Sequence, residues 1–279
     1  MEINLGWDKI DWEQLFKNHY EDEISNLNNY SYWYPKVKDC GIKMVDSRIY
    51  KIPYDMWKNF NDIENHESEE ECIQWIKKTL EDDKELIPYG IYNIKNGTFS
   101  NKFNANDCIV NYAKIPEKFL NIQYASQCYE TGGTTELVVR KNIDYDNQKI
   151  PTIYDGLPLR TEFRVFVDFD KEEVLYIVNY WDYDYCYKHL CLTDKIIFDY
   201  MKERLEADYE KNKDYVINLI KEKLIPHNKK LKDRLTGKWS VDIMKSEKTY
   251  YLIDMAIAAQ SAYWKPYASN NKGEWSRWI

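Results

Sequence analysis

Two aspartates late in the chain have the spacing of a metal-binding pair. Asp242 lies in KWSVDIM and Asp254 in TYYLIDMAIA, two segments joined by the polar stretch KSEK. Both segments alternate as the strands of a hairpin do, with Val241 and Ile243 pointing one way and Asp242 the other. The same period of two puts Leu252, Asp254 and Ala256 on one face. It predicts Asp242 and Asp254 as diagonal neighbours roughly 5–8 Å apart. Carboxylates that close disturb each other's ionisation unless a proton or a cation sits between them. With no His or Cys beside them, the fitting cation is magnesium, usually held by one or two carboxylates together with phosphates. Two surface aspartates on a solvated edge would show the same spacing.

A second polar pair lies in TEFRVFVDFD, residues 161–170. Phe163, Val165, Val167 and Phe169 give the strand a core face, while Glu162 and Arg164 share the other. Arginine offers a planar fork suited to phosphate or carboxylate oxygens, and a neighbouring glutamate can orient it or join a metal shell. A structural Glu–Arg surface pair reads identically. Lys102, in GTFSNKF, is expected at the end of a strand-like segment in which Phe99, Asn101 and Phe103 alternate. Arg140 and Lys141 end the apolar strand ELVVRKN. A lysine at a strand end is a common phosphate ligand, although 39 Lys and Arg residues make any one of them an ordinary surface charge by default. The Gly-Gly of ETGGTTE, residues 130–136, fits neither a P-loop nor a dinucleotide fingerprint, and suits a turn or a flexible cover.

The elements that must position these residues follow from periodicity. Residues 11–30 and 69–82 read as amphipathic helices. SYWYPKVKDCGIKMVDSRIYKIPYDMW between them reads as short strand pieces broken by Pro35, Gly41 and Pro53. Strands are expected at 88–94, 97–103, 136–142, 162–169 and 173–180, the last two forming a hairpin. A long charged helical stretch covers 194–234, broken or kinked at Pro226. The tail SNNKGEWSRWI is expected to dock on the body, because exposed tryptophan is costly. Strands, a helical block and strands again define an α+β or mixed α/β chain, with a boundary near residues 83–90.

Composition limits the function classes. The 279 residues are 44% hydrophobic and 16% aromatic, enough for one large domain or two modest ones. A net charge of −8 argues against a general nucleic-acid binder. Cys40, Cys72, Cys108, Cys128, Cys186 and Cys191 form no CxxC pair and no zinc spacing, so free thiols are expected. No signal-like segment and no membrane-length apolar run is evident, and a soluble, cytoplasmic protein is expected.

The order of these features resembles the ATP-grasp superfamily. LVVRKNI…TEFRVFVDFDKEEVLYIVNY is most similar to the branch holding RimK-type ligases and the cell-division-cycle proteins that assemble a translation initiation factor. SVDIM…YLIDMA is similar to the terminal hairpin of the superfamily. The resemblance covers roughly residues 88–264. It implies an α+β ATP-grasp fold, two α/β subdomains clamping a nucleotide in residues 88–279, after a small α/β region in 1–87. It further implies Lys102 on the ATP phosphates and the backbone from Val138 through Arg140 to Lys141 on the adenine edge. Arg164 would reach the γ-phosphate or an acyl-phosphate with Glu162 holding it, and Asp242 and Asp254 would hold Mg2+. The implied reaction activates a carboxylate as an acyl-phosphate with Mg-ATP and joins it to an amine, on a peptide, a protein or a small molecule. Two departures stand out: the usual glutamate of the hairpin is Asp254, and the usual asparagine two residues later is Ala256, which has no ligand atom. An ATP-binding assembly factor with little turnover, and another phospho- or nucleotidyl transferase, are the alternatives.

Overall fold

The computed structural model describes residues 11–62, 65–129, 135–143 and 150–265. Most of ETGGTTE and the tail SNNKGEWSRWI lie outside them. The chain forms two compact units. The first comprises residues up to Tyr30, Ser47–Asn101 and Asp107–Arg140; the second comprises Ser31–Asp46, Lys102–Asn106 and the chain from Lys141 onward. The break expected near residues 83–90 falls within the first unit. Helices and antiparallel strand pairs together give the α+β class.

The first unit is built on a four-stranded sheet. In chain order, helix α1 (Trp12–Ser25) is followed by α2 (Tyr30–Val37), which belongs to the second unit from Ser31 onward, then by strand β1 (Ser47–Lys51), α3 (Tyr54–Phe60) and α4 (His66–Asp82). Then come β2 (Ile91–Asn96), the single turn α5 (Ala105–Cys108), β3 (Ile109–Asn111), α6 (Ile115–Cys128) and β4 (Glu136–Lys141). The sheet order is β1-β4-β2-β3. Leu137, Val139 and Ile94 meet Trp57, Phe60, Ile76 and Phe119 of the helices in one core.

The second unit continues with the small pair β5 (Thr152–Ile153) and β6 (Leu157–Pro158), then β7 (Glu162–Asp168), β8 (Glu173–Asn179) and α7 (Tyr183–Cys186). The long helix α8 (Leu192–Leu219), α9 (Ile225–Lys230), β9 (Lys238–Ser246) and β10 (Thr249–Ile257) complete it. Strand order in its main sheet is β10-β9-β7-β8, with every pair antiparallel. Phe163, Val165, Val241, Ile243 and Leu252 are buried on one face. There Tyr209 of α8 stacks on Phe163 at 5.5 Å.

Three expected strand or helix features differ. Residues 30–37 form a helix, because Tyr30, Trp33 and Val37 fall on one helical face and are all buried. Residues 54–60 are also helical, burying Trp57 and Phe60. Residues 97–103 are not a strand: Asn96 accepts from the backbone N–H groups of Thr98 and Phe99 and ends β2 in a turn. A Cβ at Gly97 would lie 2.8 Å from Asn29 Oδ1 and 2.9 Å from Glu136 Oε2, so a larger residue there must displace these two buried side chains. Pro226 interrupts the long helix as expected. A wide π-turn over Ile220–Leu224 precedes it and gives the ring room against the preceding turn.

Candidate functional site

The side of the second unit's sheet opposite Phe163 and Val165 carries a row of ionisable groups fixed by strand register. Asp254 pairs with Asp242, Asp242 pairs with Arg164, and Arg164 pairs with Val178, so two acids and an arginine lie side by side across β10, β9 and β7. Glu162 stands two residues before Arg164 on the same face, opposite Met244.

This row exists because of a β-bulge. Leu252 pairs with Ile243 on the core side, whereas Asp254 pairs with Asp242. Ile253 is the extra residue that reverses the phase of β10. Leu252 and Asp254 therefore do not share a face, contrary to the uninterrupted alternation read from sequence. Asp242 and Asp254 are direct cross-strand partners rather than diagonal neighbours.

Asp242 is engaged by arginine. Arg164 donates from Nε to Asp242 Oδ1 at 2.8 Å and from Nη2 to Oδ2 at 2.7 Å. Its third nitrogen, Nη1, reaches the carbonyl oxygen of Ala262 at 3.3 Å. The side chains are only 12% and 9% exposed, so this is a bidentate ion pair largely removed from water. Asp254 accepts from the backbone N–H of Met255 at 3.0 Å.

Lys102 joins this face from the turn after Asn101 rather than from a strand end. Its ammonium lies 4.0 Å from the centroid of the Tyr180 ring, and the Arg164 guanidinium lies 4.8 Å from the same ring. Two cations against one aromatic ring gain from its quadrupole while repelling each other. Burial and then the charge of Arg164 push the Lys102 pKa down, against the pull of Glu162, Asp242 and Asp254. Burial pushes Glu162 up to about 7, with Asp242 adding to the rise and Lys102 and Arg164 opposing it. Burial acts to lower Arg164, but Asp242 outweighs it and keeps the guanidinium charged.

The segment after β10 bounds the site. Tyr263 donates to the carbonyl oxygen of Tyr180 at 2.9 Å, Tyr176 donates to that of Tyr263 at 3.1 Å, and Trp264 lies 5.4 Å from Phe166. Ala256 pairs with Ser240, whose hydroxyl lies 2.6 Å from that of Ser261. Tyr180, Tyr263 and the Ala262 carbonyl had no chemical signal in the sequence; only their packing brings them here.

Of the expected adenine contacts, Val138 and Arg140 lie in the first unit and Lys141 begins the last segment of the second. β4 is an inner strand flanked by β1 and β2, so the backbone of Val138 sits among sheet partners on both edges. Arg140 donates to Asn93 and lies 5.9 Å from the Tyr30 ring. The Lys141 N–H donates to the Asp46 carbonyl at 3.1 Å. Lys95 of β2, passed over in the sequence, is 2% exposed and lies 5.7 Å from the same Tyr30 ring. Its only signal was the single formal charge in the strand IYNIKN.

No cluster of three or more His, Cys, Asp or Glu ligands occurs among the described residues. Asp242 and Asp254 nevertheless fit magnesium in the form that takes two carboxylates and completes its octahedron with phosphate oxygens and water. All six cysteines are free thiols.

No family model matches the chain, and no curated protein matches it. Among solved structures it is similar to Cdc123 from Schizosaccharomyces pombe, with 15% identity over 82% of this chain and 83% of that one, at a TM-score of 0.48. A RimK domain ATP-grasp protein from Sphaerobacter thermophilus shows 12% identity over 82% of this chain and 57% of that one, at 0.33. The biotin carboxylase domain of the Hydrogenobacter thermophilus 2-oxoglutarate carboxylase, solved with MgADP and bicarbonate, shows 11% identity over 84% of this chain and 40% of that one, at 0.39. The functional reading rests on the chain's own side chains.

Proposed function

We propose that the polar face of the second unit's sheet is the phosphate and metal end of an ATP site, and that the protein is an ATP-dependent carboxylate–amine ligase. The observation that carries this is the convergence of Lys102, Glu162, Arg164, Asp242 and Asp254, drawn from a turn and three strands, onto one face of one sheet. Three carboxylates facing two cations suit a ligand that brings both negative phosphate oxygens and a divalent cation.

In this reading Lys102 and Arg164 bind phosphate oxygens and stabilise the charge that develops on the transferred phosphoryl group. Asp242 and Asp254 would hold Mg2+, which supplies charge neutralisation between phosphates. Glu162 orients the two cations, and its raised pKa makes its charge adjustable near neutral pH. The contribution of the chain is positioning and electrostatics, with no covalent intermediate on the protein. Contacts of Val138, Arg140 and Lys141 with adenine belong to the same proposal. So do the acceptor, a carboxylate and an amine or a protein, the 88–279 nucleotide region and a cytoplasmic setting. Among the described residues no helix is long and apolar enough to cross a membrane.

A second reading, an ATP-binding assembly factor with little turnover, is favoured by one observation. Ala256 offers no ligand atom, and its partner Ser240 is bonded to Ser261. Thermal shift with ATP and ADP, with and without magnesium, on wild type and Asp242→Asn tests nucleotide and metal binding together. A magnesium-dependent shift lost in the variant supports the site; no shift under any condition sinks it. ADP release with candidate acceptors then separates a ligase from an assembly factor.

A further inference from the structure

Both oxygens of Asp242 are occupied by the guanidinium of Arg164, and all three nitrogens of that guanidinium have acceptors. A magnesium ion needs its oxygen ligands at about 2.0–2.1 Å and gives up water reluctantly. It cannot take Asp242 while a buried cation holds the same two oxygens, and Asp254 alone is a poor site. We propose that Arg164 is an exchangeable guard of Asp242, so that the metal site forms only when an incoming polyphosphate draws the arginine away. The proposal rests on the reading of this face as a nucleotide site and adds an obligatory coupling between metal and phosphate.

The geometry supplies each part of the exchange. A phosphate presents the same two-oxygen edge to a guanidinium as a carboxylate does, so Arg164 gives up one bidentate partner for another. The Tyr180 ring lies against both Arg164 and Lys102, so an anion bound beside that ring is within reach of both cations. The two cations then share one anion instead of repelling each other. Asp242, released, stands directly opposite Asp254 across the β9–β10 pair, close enough for both carboxylates to bind one ion. The bulge at Ile253 is what sets this alignment.

Coupling of this kind is reciprocal: nucleotide strengthens metal binding by the same factor as metal strengthens nucleotide binding, typically ~5- to 150-fold. The test is Mn2+ titration followed by electron paramagnetic resonance, with and without ADP, together with ADP titration by calorimetry with and without Mn2+. Wild type is expected to bind Mn2+ at least ~10-fold more tightly with ADP than without it, a ratio within that range. Arg164→Gln frees Asp242, so it should bind Mn2+ alone more tightly than wild type does, and the ADP effect should shrink toward one. If wild type binds ADP but takes up Mn2+ equally well without it, the guard is overturned and the nucleotide reading stands. If wild type binds no ADP with or without Mn2+, the nucleotide reading fails, and the guard with it. The wild-type comparison can overturn the guard even if the variant does not fold. The freed metal site in the Arg164 variants is what assigns the coupling to the arginine rather than to metal ligation by the phosphates themselves. Arg164→Lys gives a second check: it keeps the charge but loses the fork, and should lose most of the coupling. Full coupling in that variant would also overturn the exchange.

Discussion

Replacing Asp242 by asparagine should destabilise the protein well beyond an ordinary surface change. Asp242 is 7% exposed and receives two charge-assisted hydrogen bonds of 2.7 and 2.8 Å from one guanidinium. Asparagine retains one acceptor and leaves the arginine charge buried with half its partner gone. Removing one member of a buried pair typically costs about 3–5 kcal/mol. Asp254 and Glu162 lie on the same face and take up part of the uncompensated charge, so the lower end, about 3 kcal/mol, is expected. For a chain of this size that corresponds to a fall of roughly 6–12 °C in Tm. The assay is urea denaturation of wild type, Asp242→Leu, Arg164→Met and the double variant, arranged as a thermodynamic cycle, with Asp242→Asn measured beside them. Because two apolar replacements also remove the desolvation cost, the double variant Arg164→Met with Asp242→Leu should lie within about 1–2 kcal/mol of wild type. A loss below about 1 kcal/mol in Asp242→Asn would mean a wet surface pair and would refute the reasoning.

Three further outcomes follow from the same geometry. Glu162 has a folded pKa raised to about 7, so the folded state holds its proton where the unfolded chain has lost it. Its contribution to stability is complete below the ordinary glutamate pKa of about 4.3 and is lost as pH rises through 7. Glu162→Gln should therefore flatten the pH dependence of the urea midpoint between about pH 4.5 and 7.5, and an unchanged slope would assign the titration elsewhere. Deleting Ile253 should straighten β10 while leaving Asp254 opposite Asp242. Magnesium-dependent nucleotide stabilisation should survive the deletion, and its loss in a folded variant would show that the bulge does more than set phase. Finally, Cys128 and Cys191 are exposed, while Cys40, Cys72, Cys108 and Cys186 are buried with thiol pKa values pushed up by burial. A thiol reagent should titrate two groups rapidly in the folded protein and six after unfolding; more than two fast groups would contradict the packing.

The sequence by itself determined which residue types could do chemistry and which strands carry them. The alternation in TEFRVFVDFD puts Phe163 and Val165 inside and Glu162 and Arg164 on the opposite face, and β7 pairs as that pattern requires. The hairpin bearing Asp242 and Asp254 was legible for the same reason, although the bulge at Ile253 breaks the alternation within β10. Local signals failed where two of them competed. The strand expected over 97–103 ignored the Asn96-Gly97 turn, and the helix at 30–37 was hidden by Pro35 in a short aromatic run. Tertiary structure alone decided the site's geometry. Leu252 and Ile253 are both apolar, so no pattern shows which one is the extra residue, yet that residue sets whether Asp254 faces the core or Asp242. The placing of Lys102 and Arg164 on the Tyr180 ring, and the clamp of Arg164 on Asp242, depend on side chains far apart in sequence. Their positions are fixed by packing, which alternation within one strand does not encode.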